Sequence, residues 1–184
     1  MAPQIKYTKL FIDNEWVDAK SGKTFDTYNP HNGSVIAKVA EGDAADIDLA
    51  VQAATRAFQR GSEWRQLDAS ARRRVLDRFA DLLDRDADYL AQLESHNNGM
   101  ITSFSQMMMG SISGTVRYLG GLADKYHGDT IPSDGNTFSF TLKQPVGVCG
   151  LILPWNGPVA MFINKVITAL AAGKLCIMSD VVKL

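Results

Sequence analysis

Cysteine is scarce in this 184-residue chain, which holds only Cys149 and Cys176. Two thiols in apolar runs exclude a disulfide scaffold and lead us to expect a reducing, cytoplasmic setting. An excess of one charge is also lacking. Nineteen basic against twenty acidic side chains leave a formal net charge of −1, a balance that excludes general nucleic-acid binders built on a basic face. No apolar run reaches the roughly 18 residues of a membrane span. The opening MAPQIKYTKL lacks the apolar core of a secretory signal and the Arg-rich pattern of a presequence. Neither nucleic acid nor membrane is therefore expected as a partner. No G-x-G-x-x-G occurs, so a dinucleotide cannot be inferred from a glycine fingerprint. His31, His96 and His127 fall at predicted turns without metal-ligand spacing, and no metal site is expected.

What is present is ordinary for a soluble globular chain: 46% hydrophobic and 21% charged residues. The length fits about one domain, with room for a small second lobe or a piece of something larger. Charge thins out near Pro145, beyond which only Lys165, Lys174, Asp180 and Lys183 are charged, so the last fifth has an interior-like composition. Short strands are predicted at Leu10-Phe11-Ile12, Glu15-Trp16-Val17 and Ser34 to Val39, the first two joined by an Asp13-Asn14 hairpin turn. Ile47, Val51, Ala54 and Phe58 then form a helical stripe that Asp43 can cap and Gly61 can end.

A second helix starts near Ser70 with Val75, Leu76, Phe79, Leu82 and Leu83 on its apolar face. The spacing of Arg73 with Asp77 and of Asp81 with Arg85 predicts i,i+4 ion pairs, which favours a solvated face over a phosphate site at Arg72-Arg73-Arg74. After a short helix through Leu90 and Leu93, His96-Asn97-Asn98-Gly99 reads as a break. A third long helix is predicted from Thr102 to Tyr126, with Met108, Ile112, Val116, Leu119 and Ala123 inward. The Met107-Met108-Met109 cluster suits core filling better than an adaptable binding surface. Thr137 to Lys143 alternates, placing Phe138, Phe140 and Leu142 on one face that needs a cover, either this chain or a second subunit.

The chemistry concentrates near the carboxyl end. Val146 to Leu153 is a continuous apolar run suited to a parallel strand buried on both faces. Pro154-Trp155-Asn156-Gly157-Pro158 breaks it, Val159 to Ala172 reads as a helix that Gly173 can cap, and Leu175 to Met178 is a second strand. Strand, helix and strand make one βαβ unit, whose ligand crevice lies beyond the carboxyl ends of the strands. Asn156 sits there. Its amide is either an anion-stabilising donor or simply an N-cap.

PVGVCGLILPWNGP, with a following helix that ends ALAAG, resembles the entry to the cofactor domain of the NAD(P)-dependent aldehyde dehydrogenases. LFIDNEWVDAKSGKTFDTYNP, ESHNNG and RYLGGLADKYHGDTIPSDG extend that resemblance over nearly the whole chain, toward the retinal and aliphatic aldehyde class. It implies an α/β fold in which helices and small β-hairpins lead into the first βαβ unit of a Rossmann-like parallel sheet. Residues 1–128 would be the amino-terminal strands and helices of the cofactor domain, 129–145 an oligomerisation-type hairpin, and 146–184 the first βαβ unit, cut short. It also implies that Asn156 holds the oxyanion of a cysteine thiohemiacetal, that Ile152, Leu153, Pro154 and Trp155 line the NAD or NADP cleft, and that subunits assemble through the hairpin.

Departures temper those implications. Ser179 stands where the family has a ribose-binding lysine, and Lys183 is not at that position. Neither Cys149 nor Cys176 is expected to be the nucleophile, since both are predicted buried without a neighbour to lower a thiol pKa. Without the family's nucleophile and general-base glutamate, the chain alone is expected to be inactive and to bind NAD weakly or not at all. A non-catalytic partner that assembles with full-length aldehyde dehydrogenase subunits is the alternative.

Overall fold

The computed structural model describes residues 2–180, with side chains described as far as Lys174. Lys183 therefore lies outside the described residues. Near the amino terminus, β1 (Leu10–Ile12) pairs antiparallel with β2 (Glu15–Val17). Asp13 and Asn14 both take positive φ, 55° and 64°, as a two-residue hairpin turn requires. A second hairpin joins β3 (Thr24–Tyr28) to β4 (Val35–Ala40). The sequence reading leaves β3 unassigned, although Thr24, Phe25, Thr27 and Tyr28 are all strand-favouring residues.

Helix α1 (Ala44–Phe58) opens on a capping box between Asp43 and Asp46 and ends before Gly61, which lies in the following turn at φ 90°. Its predicted apolar stripe is only partly covered, for Ile47 and Val51 are exposed and Asp46 is the one buried residue of the helix. Asp46 is satisfied there by the backbone N–H groups of Lys20 and Asp43, at 3.0 and 2.9 Å. The short α2 (Glu63–Gln66) follows.

One unbroken 30-residue helix, α3 (Ala69–Asn98), replaces the two expected, capped by Asp68 and closed by Gly99 in the left-handed region. Nothing between Leu83 and Leu90 interrupts the i→i+4 ladder, and the break falls at residues 99–101, opened by Gly99. His96 is accordingly helical rather than in a turn. Arg73 and Asp77 do pair, at 3.5 Å. Asp81 instead binds Arg117, and Arg85 binds its neighbour Asp86, because a tertiary partner and an adjacent carboxylate outcompete the i,i+4 geometry.

Helix α4 (Thr102–Gly121) ends five residues before the expected Tyr126. It faces the core with Met109, Ile112 and Val116, while Met108 is half-buried and Met107 exposed. A shift of one position in helical phase thus divides the methionine cluster between core and surface. Gly120 lets α4 approach α3 closely, since a Cβ there would meet Leu76 Cβ at 3.3 Å.

Beyond α4, β5 (Thr130–Ile131) pairs with β6 (Ser139–Phe140), a shorter pairing than the Thr137 to Lys143 alternation predicts. The parallel pair β7 (Val148–Leu153) and β8 (Leu175–Asp180) flanks α5 (Pro158–Ala171), with Leu153 opposite Asp180 in register. The expected βαβ unit is therefore present. Pro158 begins α5 and Gly173, at φ 76°, follows it. The strand β7 is not buried on both faces as its composition predicts, because Ile152 is exposed and only Leu153 is buried.

The core lies where α3, α4 and α5 meet. Leu76, Met109, Val116, Ile163 and Ile167 are almost completely removed from solvent there. Each such burial stabilises by about 1.5 to 3 kcal/mol, which is why α5, apolar round most of its circumference, is anchored to the helices and not to its two strands alone.

Candidate functional site

The apolar run of β7 stops at Pro154, and the chain turns through Trp155, Asn156 and Gly157 into α5. Pro154 cannot extend the ladder, and Pro158 presets the first turn of the helix. This turn is at the carboxyl end of a parallel strand, the edge on which open α/β sheets bind ligands.

Of the residues singled out from sequence, Leu153 is buried and anchors the turn, and Pro154 is half-buried. Ile152 and Trp155 are 63% and 58% exposed and present an apolar surface. Asn156 is exposed, and its side-chain amide has no hydrogen-bond partner among the described residues. Gly157, not Asn156, is the N-cap of α5, and it provides no side-chain cap. The N-cap reading of Asn156 is thus corrected, and its amide is left available.

Two further groups address the turn, both from the last turns of α3. The Asn98 side chain donates from Nδ2 to the Asn156 carbonyl at 3.2 Å while its Oδ1 accepts the Met100 N–H at 2.8 Å. The Glu94 carboxylate, only 2% exposed, faces the backbone N–H of Val159, in the first turn of α5, and its Oε1 has no hydrogen-bond partner. Burial pushes the Glu94 pKa above the ordinary glutamate value, and the nearby Val159 N–H offsets part of that rise. Lys165 reaches back from α5 to donate to the Ile152 carbonyl.

The sequence reads 96–99 as a break and 94–99 as a stretch shared with the family, and does not single out Glu94. A signal was available. Leu76, Ala80, Leu83, Ala87, Ala91 and Glu94 follow one another at spacings of three and four, so Glu94 continues an apolar stripe. A charge on such a stripe needs a partner.

Cys149 is half-buried rather than buried, with its Sγ 3.9 Å from the Gly147 carbonyl, and the Cys176 side chain lies outside the described residues. The Ser179 backbone pairs with Ile152, and its side chain is likewise outside them. Among the described residues no group of three or more His, Cys, Asp and Glu is placed to hold a metal, and no helix is long and apolar enough to cross a membrane. A cleft of about 640 Å³ lies at the opposite end of α5, among Trp64, Arg72, Tyr126 and Lys174.

Helices packed beside a βαβ unit, with an unpartnered amide in the turn after the first parallel strand, define an α/β protein. The profile of the aldehyde dehydrogenase family matches residues 16–179. The chain belongs to the aldehyde dehydrogenase family. It is 53% identical to aldehyde dehydrogenase 1A1 of Gallus gallus over 92% of its length and 34% of that protein's. It is 52% identical to mitochondrial aldehyde dehydrogenase of Sus scrofa, covering 96% of this chain and 34% of the relative. Retinal dehydrogenase 2 of Homo sapiens is 52% identical, with 92% and 33% covered. The chain thus spans about a third of the length of these relatives. Among solved structures it is similar to PnpE in complex with nicotinamide adenine dinucleotide, with TM-score 0.90 and 39% identity over 95% of this chain and 36% of that one. It is also similar to a G224D mutant of aldehyde dehydrogenase from Bacillus cereus, with TM-score 0.90 and 37% identity over 94% and 35%.

Proposed function

We propose that this chain forms the amino-terminal part of an aldehyde-oxidising unit and provides its oxyanion donor and one wall of its cofactor cleft. The observation that carries the reading is the free amide of Asn156, exposed at the end of β7. Attack of a cysteine thiolate on an aldehyde puts negative charge on the carbonyl oxygen, and a fixed amide N–H at that point stabilises the charge without reorganising. Asn156 holds that oxygen. Ile152 and Trp155 give a flat apolar surface suited to one side of NAD or NADP, with Leu153 and Pro154 fixing its position. When bound there, NAD or NADP would supply a hydride acceptor. Residues 1–128 and 146–184 then contribute to the cofactor domain and 129–145 to assembly.

The thiolate and the general base come from outside these residues, and Ser179 supplies no cation for a ribose or phosphate. The chain alone is accordingly expected to produce no NADH from aldehydes and to bind NAD weakly. Calorimetric titration showing a micromolar Kd would overturn the second expectation. The direct test replaces the matching third of chicken aldehyde dehydrogenase 1A1 with this chain. Aldehyde-dependent NADH formation is expected, and Asn156→Ala should lower kcat by about 10²- to 10³-fold. An Asn156→Ala graft with undiminished kcat would remove the assigned role.

A second reading has its own observation. Ile131, Phe138, Phe140 and Leu142 are all exposed around the β5–β6 hairpin, Phe138 by 74%. That surface suits assembly with a second copy or with full-length subunits, in which this chain would be a non-catalytic partner. Co-purification with intact aldehyde dehydrogenase, lost on Phe138→Ser, would support it. A chain that remains a monomer beside that enzyme would sink it.

A further inference from the structure

We infer that Asn98, backed by Glu94 on the same face of α3, forms a clamp through which α3 positions Asn156, gripping the chain just before Gly157. The inference rests on the reading of Asn156 as the oxyanion donor for its functional meaning, but the clamp itself stands on geometry. The two residues are four apart on one helix, so both side chains project from the same face. Asn98 donates to the Asn156 carbonyl at 3.2 Å, which restrains the peptide plane leaving Asn156 and with it the backbone from which the Asn156 side chain projects. Glu94 faces the Val159 N–H. The first turn of α5 has no cap of its own because Gly157 offers no side chain. A buried carboxylate beside that turn meets the positive end of the α5 dipole.

The grip is rigid because its base is locked. The Asn98 Oδ1 accepts from Met100 N–H at 2.8 Å, and Ser95 Oγ donates to the Met100 carbonyl at 2.7 Å. Gly99 closes the helix at φ 80° with Pro30 packed so near that a Cβ there would lie 2.9 Å from its Cγ. Glu94 is buried with Oε1 unpartnered, an arrangement that costs stability and therefore calls for a positional reason. Both are positioning residues, since neither is placed to touch a substrate.

Nitrogen-15 relaxation on the 184-residue chain tests the clamp without any need for activity. Wild-type amides of Trp155, Asn156 and Gly157 should be as ordered as those of β7. Asn98→Asp keeps the acceptor for Met100 N–H but loses the donor to Asn156, so these amides should loosen while α3 and α4 stay ordered. Glu94→Ala should do the same and speed exchange of the Val159 amide. Glu94→Gln, which keeps an acceptor, should restore order. Should Glu94→Ala not fold, Asn98→Asp decides alone, and a turn as ordered as wild type in that variant would overturn the clamp. In the graft, Asn98→Asp should lower kcat by about 10- to 100-fold with KM unchanged. A loosened turn with unchanged kcat would refute the positioning role. An inactive graft carrying the native Glu94, Asn98 and Asn156 would instead count against the proposed function and leave the relaxation result standing.

Discussion

The three-helix core and the stretch from β5 to β7 carry similar kinds of apolar residue and treat them in opposite ways. In the first, Leu76, Met109, Val116, Ile163 and Ile167 are all covered by α3, α4 and α5. In the second, Ile131, Phe138, Phe140, Leu142, Val146 and Ile152 face outward, while Leu153 at the end of β7 is buried. The difference lies in what each element needs to be complete. A helix satisfies its own backbone and needs only a stripe of cover, which two neighbours provide. Strands need partners at their edges and cover on their faces, and two-stranded sheets offer little of either. The helices therefore make the scaffold, and the strands make the surfaces.

The strongest attack on that contrast is Ile163→Ala. It should open a cavity in the helical core and cost about 3 kcal/mol, read from urea unfolding. A loss below about 1 kcal/mol would mean that the core is not where stability resides. Gly128→Ala probes the other region, because a Cβ there would fall 1.9 Å from the Thr141 carbonyl oxygen. The hairpin should open locally, with faster exchange of the Thr141 amide that now donates to Asp129 at 2.9 Å, while the urea midpoint of the core moves little. A large shift in that midpoint would tie the two regions together.

A pH series sharpens the boundary between them at Glu94. Its folded pKa is raised by burial, so the folded state holds its proton longer than the unfolded chain does. The contribution is complete below the unfolded value of about 4.3 and is lost as pH rises through the higher folded value. Glu94→Gln should remove that loss, so the stability difference between variant and wild type grows from acid toward neutral pH. A pH-independent difference would contradict the assigned shift. Smallest of all, Phe140→Ser should change unfolding free energy by no more than about 0.5 kcal/mol. Sedimentation should nevertheless show weaker self-association. If both measurements match wild type, the hairpin is not an assembly surface.

Much of this division is legible in the sequence. The period change at Asp43, the run from Val146 to Leu153 and the Pro158 and Gly173 punctuation around α5 each have a local cause, and each appears near where expected. Local signals fail where a distant partner decides. The choice of Met109 over Met108 and the pairing of Asp81 with Arg117 both depend on α3 and α4 lying side by side. Asn156 is visible from its place after a strand. Glu94 and Asn98 are not, because their meaning arises only when α3 and α5 are brought side by side.

The length of α3 has a consequence of its own. Thirty residues make a rod of about 45 Å, and it serves as a ruler laid against the crossover. Arg72 near its start sits beside Gly173, where a Cβ would lie 3.6 Å from the guanidinium carbon, and Asn98 at its finish holds Asn156. Inserting a single residue midway would turn everything downstream by about 100° and swing Asn98 off the turn with no change in any side chain that touches it. An insertion far along the helix would therefore read out as a defect at the turn, and the spacing from Arg72 to Asn98 matters to that turn as much as the asparagine it serves.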